Sequence, residues 1–107
     1  MIVPKDLEDC YCILKEQMLL NDQQDFTKCS EGELIKYHHT LGQWMRNEWG
    51  LWATEDPNPL AHYFLTYKRI NHADDMSHEI LRYCWRRFRE DESKKDQEEE
   101  RIKNKDW

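Results

Sequence analysis

The sequence predicts an all-α protein, a compact bundle of about four helices with a charged, helical C-terminal tail. Three observations lead there. Apolar residues recur every three or four positions over most of the chain, the spacing that lines one face of a helix. Strong alternation of apolar and polar residues, the mark of a half-buried strand, is absent. Only three glycines and three prolines interrupt 107 residues. That length suits one domain. With 38% hydrophobic and 12% aromatic residues the chain can fill a core, although 36% of it is charged. Five residues are Trp, and each such ring can bury about 150–250 Å². The expected division is a single helical domain over 1–88 and a charged extension, helical or frayed, over 89–107.

Helix one is expected over about 4–20. Pro4 suits a first helical position, and Leu7, Cys10, Ile13, Leu14 and Met18 follow at helical spacing. The polar run Asn21-Asp22-Gln23-Gln24-Asp25 reads as a loop. Ser30-Glu31-Gly32-Glu33 fits a capping box. Helix two then runs unbroken to Glu48 or Trp49, with Gly50 as its stop. Its apolar face holds Leu34, Tyr37, His38, Leu41, Met45 and Trp49, with Trp44 at the edge. Gly42 inside a helix costs about 1 kcal/mol relative to Ala, which points to a close approach by a neighbour. Asp56-Pro57-Asn58-Pro59 reads as a turn in which Asn58 caps helix three, over 59–68, with Leu60, Tyr63, Phe64 and Tyr67 inward. Helix four begins near Ala73, where Asp74 and Asp75 suit the positive dipole end. It buries Met76, Ile80, Tyr83, Cys84 and Phe88. Beyond Arg89 only Ile102 and Trp107 are apolar, and Glu90–Lys94, Asp91–Lys95 and Glu99–Lys103 are favourable i,i+4 pairs.

Charge and cysteine content narrow the function classes. The net charge is −6, and residues 1–33 carry eight acidic and three basic side chains. Nucleic-acid binding needs a basic face, so the sign opposes it. The arginines at 82, 86, 87 and 89 read as a solvated helix face. Cys10, Cys12, Cys29 and Cys84 include no CxxC pair and no zinc-ribbon spacing. No signal-peptide layout opens the sequence, and no apolar run approaches the ~20 residues of a membrane span. A cytoplasmic protein with free thiols is expected, with Cys10, Cys12 and Cys84 buried as small hydrophobes.

No catalytic set, cofactor motif or metal site is assigned. His72, Asp74, Asp75 and His78 share one segment at ligand-like spacing, but no H-E-x-x-H occurs and the aspartates serve a helix start. Gly32, Gly42 and Gly50 are isolated, so no loop cradles phosphate. Leu41-Gly42-Gln43-Trp44-Met45-Arg46-Asn47-Glu48-Trp49-Gly50-Leu51-Trp52 is the densest unusual stretch, with three tryptophans around an Arg-Asn pair. Such residues form cores, Arg46 laying its stem on an indole. They are also typical anchors of protein interfaces. If helices two and four pack together, Asp74 and Asp75 are the ion partners for Arg46. The candidate binding residues are therefore His38, Arg46, Asn47, Trp49, Trp52, His72, Asp74 and Asp75.

These stretches also resemble an uncharacterised family of domains of unknown function from bacterial genomes. Its pattern H-x-x-L-G-x-W-x-R-N-x-W-G-L-W matches His38 to Trp52, and H-x-D-D-M-S-x-x-I-L matches His72 to Leu81, with Leu60-Ala61-His62-Tyr63-Phe64 between them. The resemblance spans about 34–88 and implies a helical domain without an established activity. The acidic first third and the charged tail are expected outside it.

The function expected from these observations is a small non-enzymatic protein-binding module, one form being a bacterial or phage regulator or inhibitor of a larger protein. One alternative is a small-ligand- or metal-binding enzyme with its site near His38, Arg46, His72 and Asp75. A second is an acidic nucleic-acid mimic using Asp6, Glu8, Asp9, Glu16, Asp22 and Asp25, although these acids lack the regular spacing of phosphates.

Overall fold

The computed structural model describes residues 3–52 and 58–103, with side chains through residue 94. The described residues are all-α, forming five α-helices, one 3₁₀ segment and one π turn: α1 (Leu7–Gln17), α2 (Leu20–Lys28), the 3₁₀ segment Glu31–Tyr37, α3 (Leu41–Glu48), α4 (Pro59–Tyr63) running into the π turn Phe64–Lys68, and α5 (Ala73–Lys103). The long α5 is the spine. It packs against α1, α2, the 3₁₀ segment and α3 in turn. Its 31 residues, at about 1.5 Å rise each, supply most of the long dimension of a 62 × 25 × 24 Å molecule.

α1 starts three residues later than Pro4 suggests, because Asp6 is the N-cap and accepts the Asp9 N–H at 2.9 Å. Glu8 and Asp9 then sit at the positive end of the helix. Leu7, Cys10, Tyr11 and Leu14 are the buried stripe, and the chain turns extended at Met18. The polar run 21–25, expected as a loop, is instead inside α2. Two contacts outweigh its weak helix propensity. Phe26 is fully buried, edge-on to Tyr37 and Phe88. Gln23 donates through Nε2 to the carbonyls of Lys15 and Met18, both at 2.9 Å, and so satisfies the end of α1.

Helix two is not continuous. The Ser30/Glu33 capping box forms as expected, but it opens a 3₁₀ segment that ends before His38. Residues 38–40 form a turn, and α3 starts afresh at Leu41. In an unbroken helix the His38 carbonyl would accept from the backbone four residues on. Here it accepts from the Arg46 side chain at 3.1 Å. Gly42 sits in the crowded space this creates. A Cβ there would lie 3.2 Å from Arg46 Nη1, 3.3 Å from the Tyr37 carbonyl oxygen and 3.7 Å from Leu81 of α5. α3 ends as expected at Gly50, whose φ of 59° is left-handed. The Leu51 N–H reaches the Arg46 carbonyl at 3.1 Å, and Leu51 is fully buried, which together make a Schellman close.

α4 begins at the Asn58 cap with Pro59 first. Asn58 accepts from Ala61 N–H at 2.9 Å and donates to the Trp49 carbonyl at 2.8 Å, stitching α4 to the end of α3. Asp56 and Pro57 of the expected turn lie outside the described residues. The π turn changes which residues face inward. Leu60 and Phe64 are buried, but Tyr67 is 75% exposed rather than on the apolar face. A wider turn holds more residues than an α turn, so Tyr67 rotates outward. Met76, Ile80, Cys84 and Phe88 line the inner face of α5, together with Ala73, Ser77 and Leu81, while Tyr83 is only half-buried. Glu90 pairs with Arg87 at 3.5 Å; the side-chain pairs expected at Lys95 and beyond fall outside the described side chains.

Polar ties hold α5 to its neighbours. Glu8 of α1 accepts from Tyr83 and from Arg87, whose Nη2 is 2.8 Å away. Those two bonds hold the Glu8 carboxyl below its ordinary range, Arg87 contributing most, and the bond to Glu8 lifts the Tyr83 phenol to about 12. Glu31 pairs with Arg82 at 3.2 Å and Arg86 at 3.6 Å. Trp85 Nε1 donates to the Cys29 carbonyl at 3.0 Å and satisfies the end of α2. Cys10 and Cys84 are buried, and burial pushes both thiols up. Cys12 is exposed rather than in the core, because it falls between the inward residues Tyr11 and Leu14.

Two outcomes follow from these contacts. Gly42→Ala, stabilising in an open helix, should here destabilise by ~1 kcal/mol, since the Tyr37 carbonyl and the held guanidinium must shift; urea unfolding reads the sign. The depressed Glu8 group contributes stability that is present above its unfolded value near 4.5 and is lost as pH falls through the lower folded value. Glu8→Gln should therefore flatten the acid limb of a melting-temperature profile below that pH, and leave the profile's shape unchanged from there up to the alkaline range in which Tyr83 titrates.

Candidate functional site

The junction of α3 and α5 is organised by one buried cation. Arg46 comes from the last turn of α3 and is 5% exposed. Its Nη1 donates to Ser77 Oγ at 2.8 Å and its Nη2 to the His38 carbonyl at 3.1 Å. Nε lies 3.5 Å from Asp74 Oδ1, an ion-pair distance, yet has no hydrogen-bond partner among the described residues. The guanidinium carbon is 5.9 Å from the ring centre of Trp52. Ser77 is fully buried and its hydroxyl donates to the Asp74 carbonyl at 2.9 Å. Its hydroxyl therefore accepts from Arg46 while donating to the backbone, which leaves no free proton for nucleophilic chemistry in this arrangement.

The expected site residues divide into three groups. Arg46, Asp74, Trp52 and Asn47 come together: Trp52 Nε1 donates to Asn47 Oδ1 at 3.3 Å, and both residues are exposed. His38 joins through its backbone carbonyl, while its half-buried ring stands edge-on to His39 at 5.1 Å. The reading of His38 as part of an apolar helical face is corrected, because the break at 38–40 turns it out of that face. Trp49 is 1% exposed and packs edge-on against Trp44 at 5.3 Å; it belongs to the core. Asp75 and His72 are exposed. Asp75 makes no ion pair among the described residues, because only the first of two consecutive helical acids faces α3.

Among the described residues no three His, Cys, Asp or Glu side chains gather where they could hold a metal. The arginines of α5 whose side chains are described are engaged within the molecule: Arg82, Arg86 and Arg87 in the pairs above, and Arg89 with its guanidinium 4.7 Å from the ring centre of Trp85. Of the six acids considered as a phosphate-like face, Asp6 caps α1, Glu8 is paired and Asp9 accepts from the Lys5 N–H. A surface feature that periodicity did not reveal is an open groove between the α1–α2 corner and the start of α3. Its sequence signal is slight: two aspartates three apart in a run that reads as a loop, and a tryptophan at the edge of a helical face.

The fold and this junction define a small all-α protein organised around a buried arginine. The chain belongs to the family described as Domain of unknown function (DUF6794), whose model matches residues 3–88. The match includes the acidic first third, which the motifs alone placed outside it. No curated protein and no solved structure matches the chain. Among the described residues, no helix is long and apolar enough to cross a membrane.

The network makes a graded expectation for stability. Arg46→Ala removes a buried cation with two held hydrogen bonds and should cost ~3 kcal/mol. Asp74→Asn, at a carboxylate 60% exposed, should cost under ~1 kcal/mol. Denaturant melts of the two variants give the comparison; equal costs would remove Arg46 from its place at the centre of the junction.

Proposed function

We propose that this protein is a small non-enzymatic protein-binding module, cytoplasmic in its setting, that acts as a regulator or inhibitor of a larger bacterial or phage protein. The observation that carries the reading is Trp52. Its side chain is 60% exposed, yet it is braced by the hydrogen bond to Asn47 and by its position near the Arg46 guanidinium. A free indole in water would gain by folding onto the core. Held outward by its neighbours, it presents a large amphipathic surface whose ordering entropy is already spent, and tryptophan is over-represented among residues that dominate interface energetics.

The engagement of Ser77 in holding Arg46 supports this reading over an enzyme at the same junction, since its buried hydroxyl accepts from the guanidinium and donates to the Asp74 carbonyl. The test starts from affinity capture with the tagged chain from its source cells, followed by reconstitution with the purified partner. Trp52→Ala should weaken that complex by at least about tenfold with an unchanged melting temperature. An unaltered affinity would refute the role of Trp52.

A further inference from the structure

The groove between α1, α2 and α3 has a volume of about 550 Å³, inside the ~300–1,000 Å³ range of ligand sites. Met18, Tyr37, Leu41 and Trp44 line it half-buried, and Asp22 and Asp25 of α2 stand exposed at its lip. Leu19, also in its lining, and the neighbouring Leu20 are 73% and 69% exposed. Five of the eight acids of residues 1–33 are already used: Asp6 as a cap, Asp9 by the Lys5 N–H, Glu8 by Arg87, Glu31 by Arg82 and Glu33 by Lys36. Asp22 and Asp25 have no ion-pair partner among the described residues, and no described lysine or arginine lines the groove. The feature is thus an apolar trough with uncompensated negative charge along one edge.

We infer that this groove seats an amphipathic basic helix of a partner protein, with apolar side chains on Trp44 and Leu41 and lysine or arginine against Asp22 and Asp25. The inference rests on the protein-binding reading and names where that partner docks. Charge complementarity selects the occupant. An apolar helix face spaced i, i+3/i+4, i+7 fits an open trough. Flanking cations would meet two carboxylates one helical turn apart on the same face of α2. An acidic or neutral segment would bury apolar surface but leave those charges unanswered, so the pair discriminates among helices of similar hydropathy.

The probe is a labelled Leu/Lys amphipathic peptide of about 14 residues, roughly four turns, with a Leu/Glu peptide of the same pattern as comparator. Both are titrated with the full chain by fluorescence anisotropy. The Leu/Lys peptide should bind and the Leu/Glu peptide should not. Asp22→Asn with Asp25→Asn should weaken binding about fivefold, Trp44→Ala at least about tenfold, and about 0.5 M salt should remove the aspartate effect. A charge-matched control, Glu48→Gln with Glu92→Gln, lies outside the groove lining and should leave binding unchanged. The aspartate variants keep side-chain shape, so they report on the groove even if Trp44→Ala loosens its contact with Trp49. Equal loss in the control, no loss in the groove variants, or a dimer in sedimentation that Trp44→Ala abolishes would each overturn the inference, the last by showing a second copy as the occupant. A purified partner that depends on Trp52 but not on Asp22, Asp25 or Trp44 would refute the groove while leaving the binding reading intact.

Discussion

The guanidinium of Arg46 lies where two parts of the chain would otherwise leave polar atoms stranded. The His38 carbonyl has lost its helical partner and Ser77 is fully buried in α5. One planar cation with donors in a fixed fork bonds both, with the exposed Asp74 carboxylate 3.5 Å from its Nε as counter-ion. A lysine could carry the charge, but it could not span the His38 carbonyl and Ser77 hydroxyl from two ends of one plane. The break between the 3₁₀ segment and α3, the bare Cα of Gly42 and the position of Trp52 are consequences of accommodating that group. Its exposed side is closed only by a half-solvated carboxylate and an indole, so the junction is rigid at its base and open at its rim.

The rest of the molecule is held to α5 by a similar division of labour. Apolar stripes supply the bulk: Leu7, Cys10 and Leu14 from α1, Phe26 from α2, Leu34 from the 3₁₀ segment and Met45 from α3 meet Met76, Ile80, Cys84 and Phe88. Each such side chain contributes about 1.5–3 kcal/mol when taken out of water. Polar contacts then set register. Gln23, Asn58 and Trp85 each satisfy carbonyls at the end of a helix, which allows short helices to end inside a packed domain. Helices of five to eleven residues are marginal alone; here they persist because their ends and inner faces are completed by neighbours.

This economy separates surface from core in a way that bears on function. Arg82, Arg86 and Arg87 of α5 are neutralised by Glu31 and Glu8 across helix contacts, so net charge overstates what is free to act on a partner. The acids left over are few and localised, and they border an apolar trough on the side of α3 opposite its Trp52 end. Recognition by such a domain would rely on a small number of anchors rather than on a broad electrostatic face.

The all-α class, the start of α5, the Ser30 and Asn58 caps and the Gly50 stop were legible in the sequence, because each depends on spacing or on a residue within one turn of the feature it sets. The approach of Arg46 to Asp74 was legible too, from charge on two helical faces expected to meet. The helix over 20–28, the break at 38–40 and the outward turn of Tyr67 were not, since propensity there is weak and the outcome lies with distant partners: Phe88 and Tyr37 around Phe26, Arg46 on the His38 carbonyl, and a π turn after Phe64. Local physics therefore determined those helix ends that carry their own cap or stop residue. Only the tertiary structure decided that Trp49 would be core and Trp52 surface, three residues apart with the same side chain, because burial depends on what the rest of the chain brings to each position.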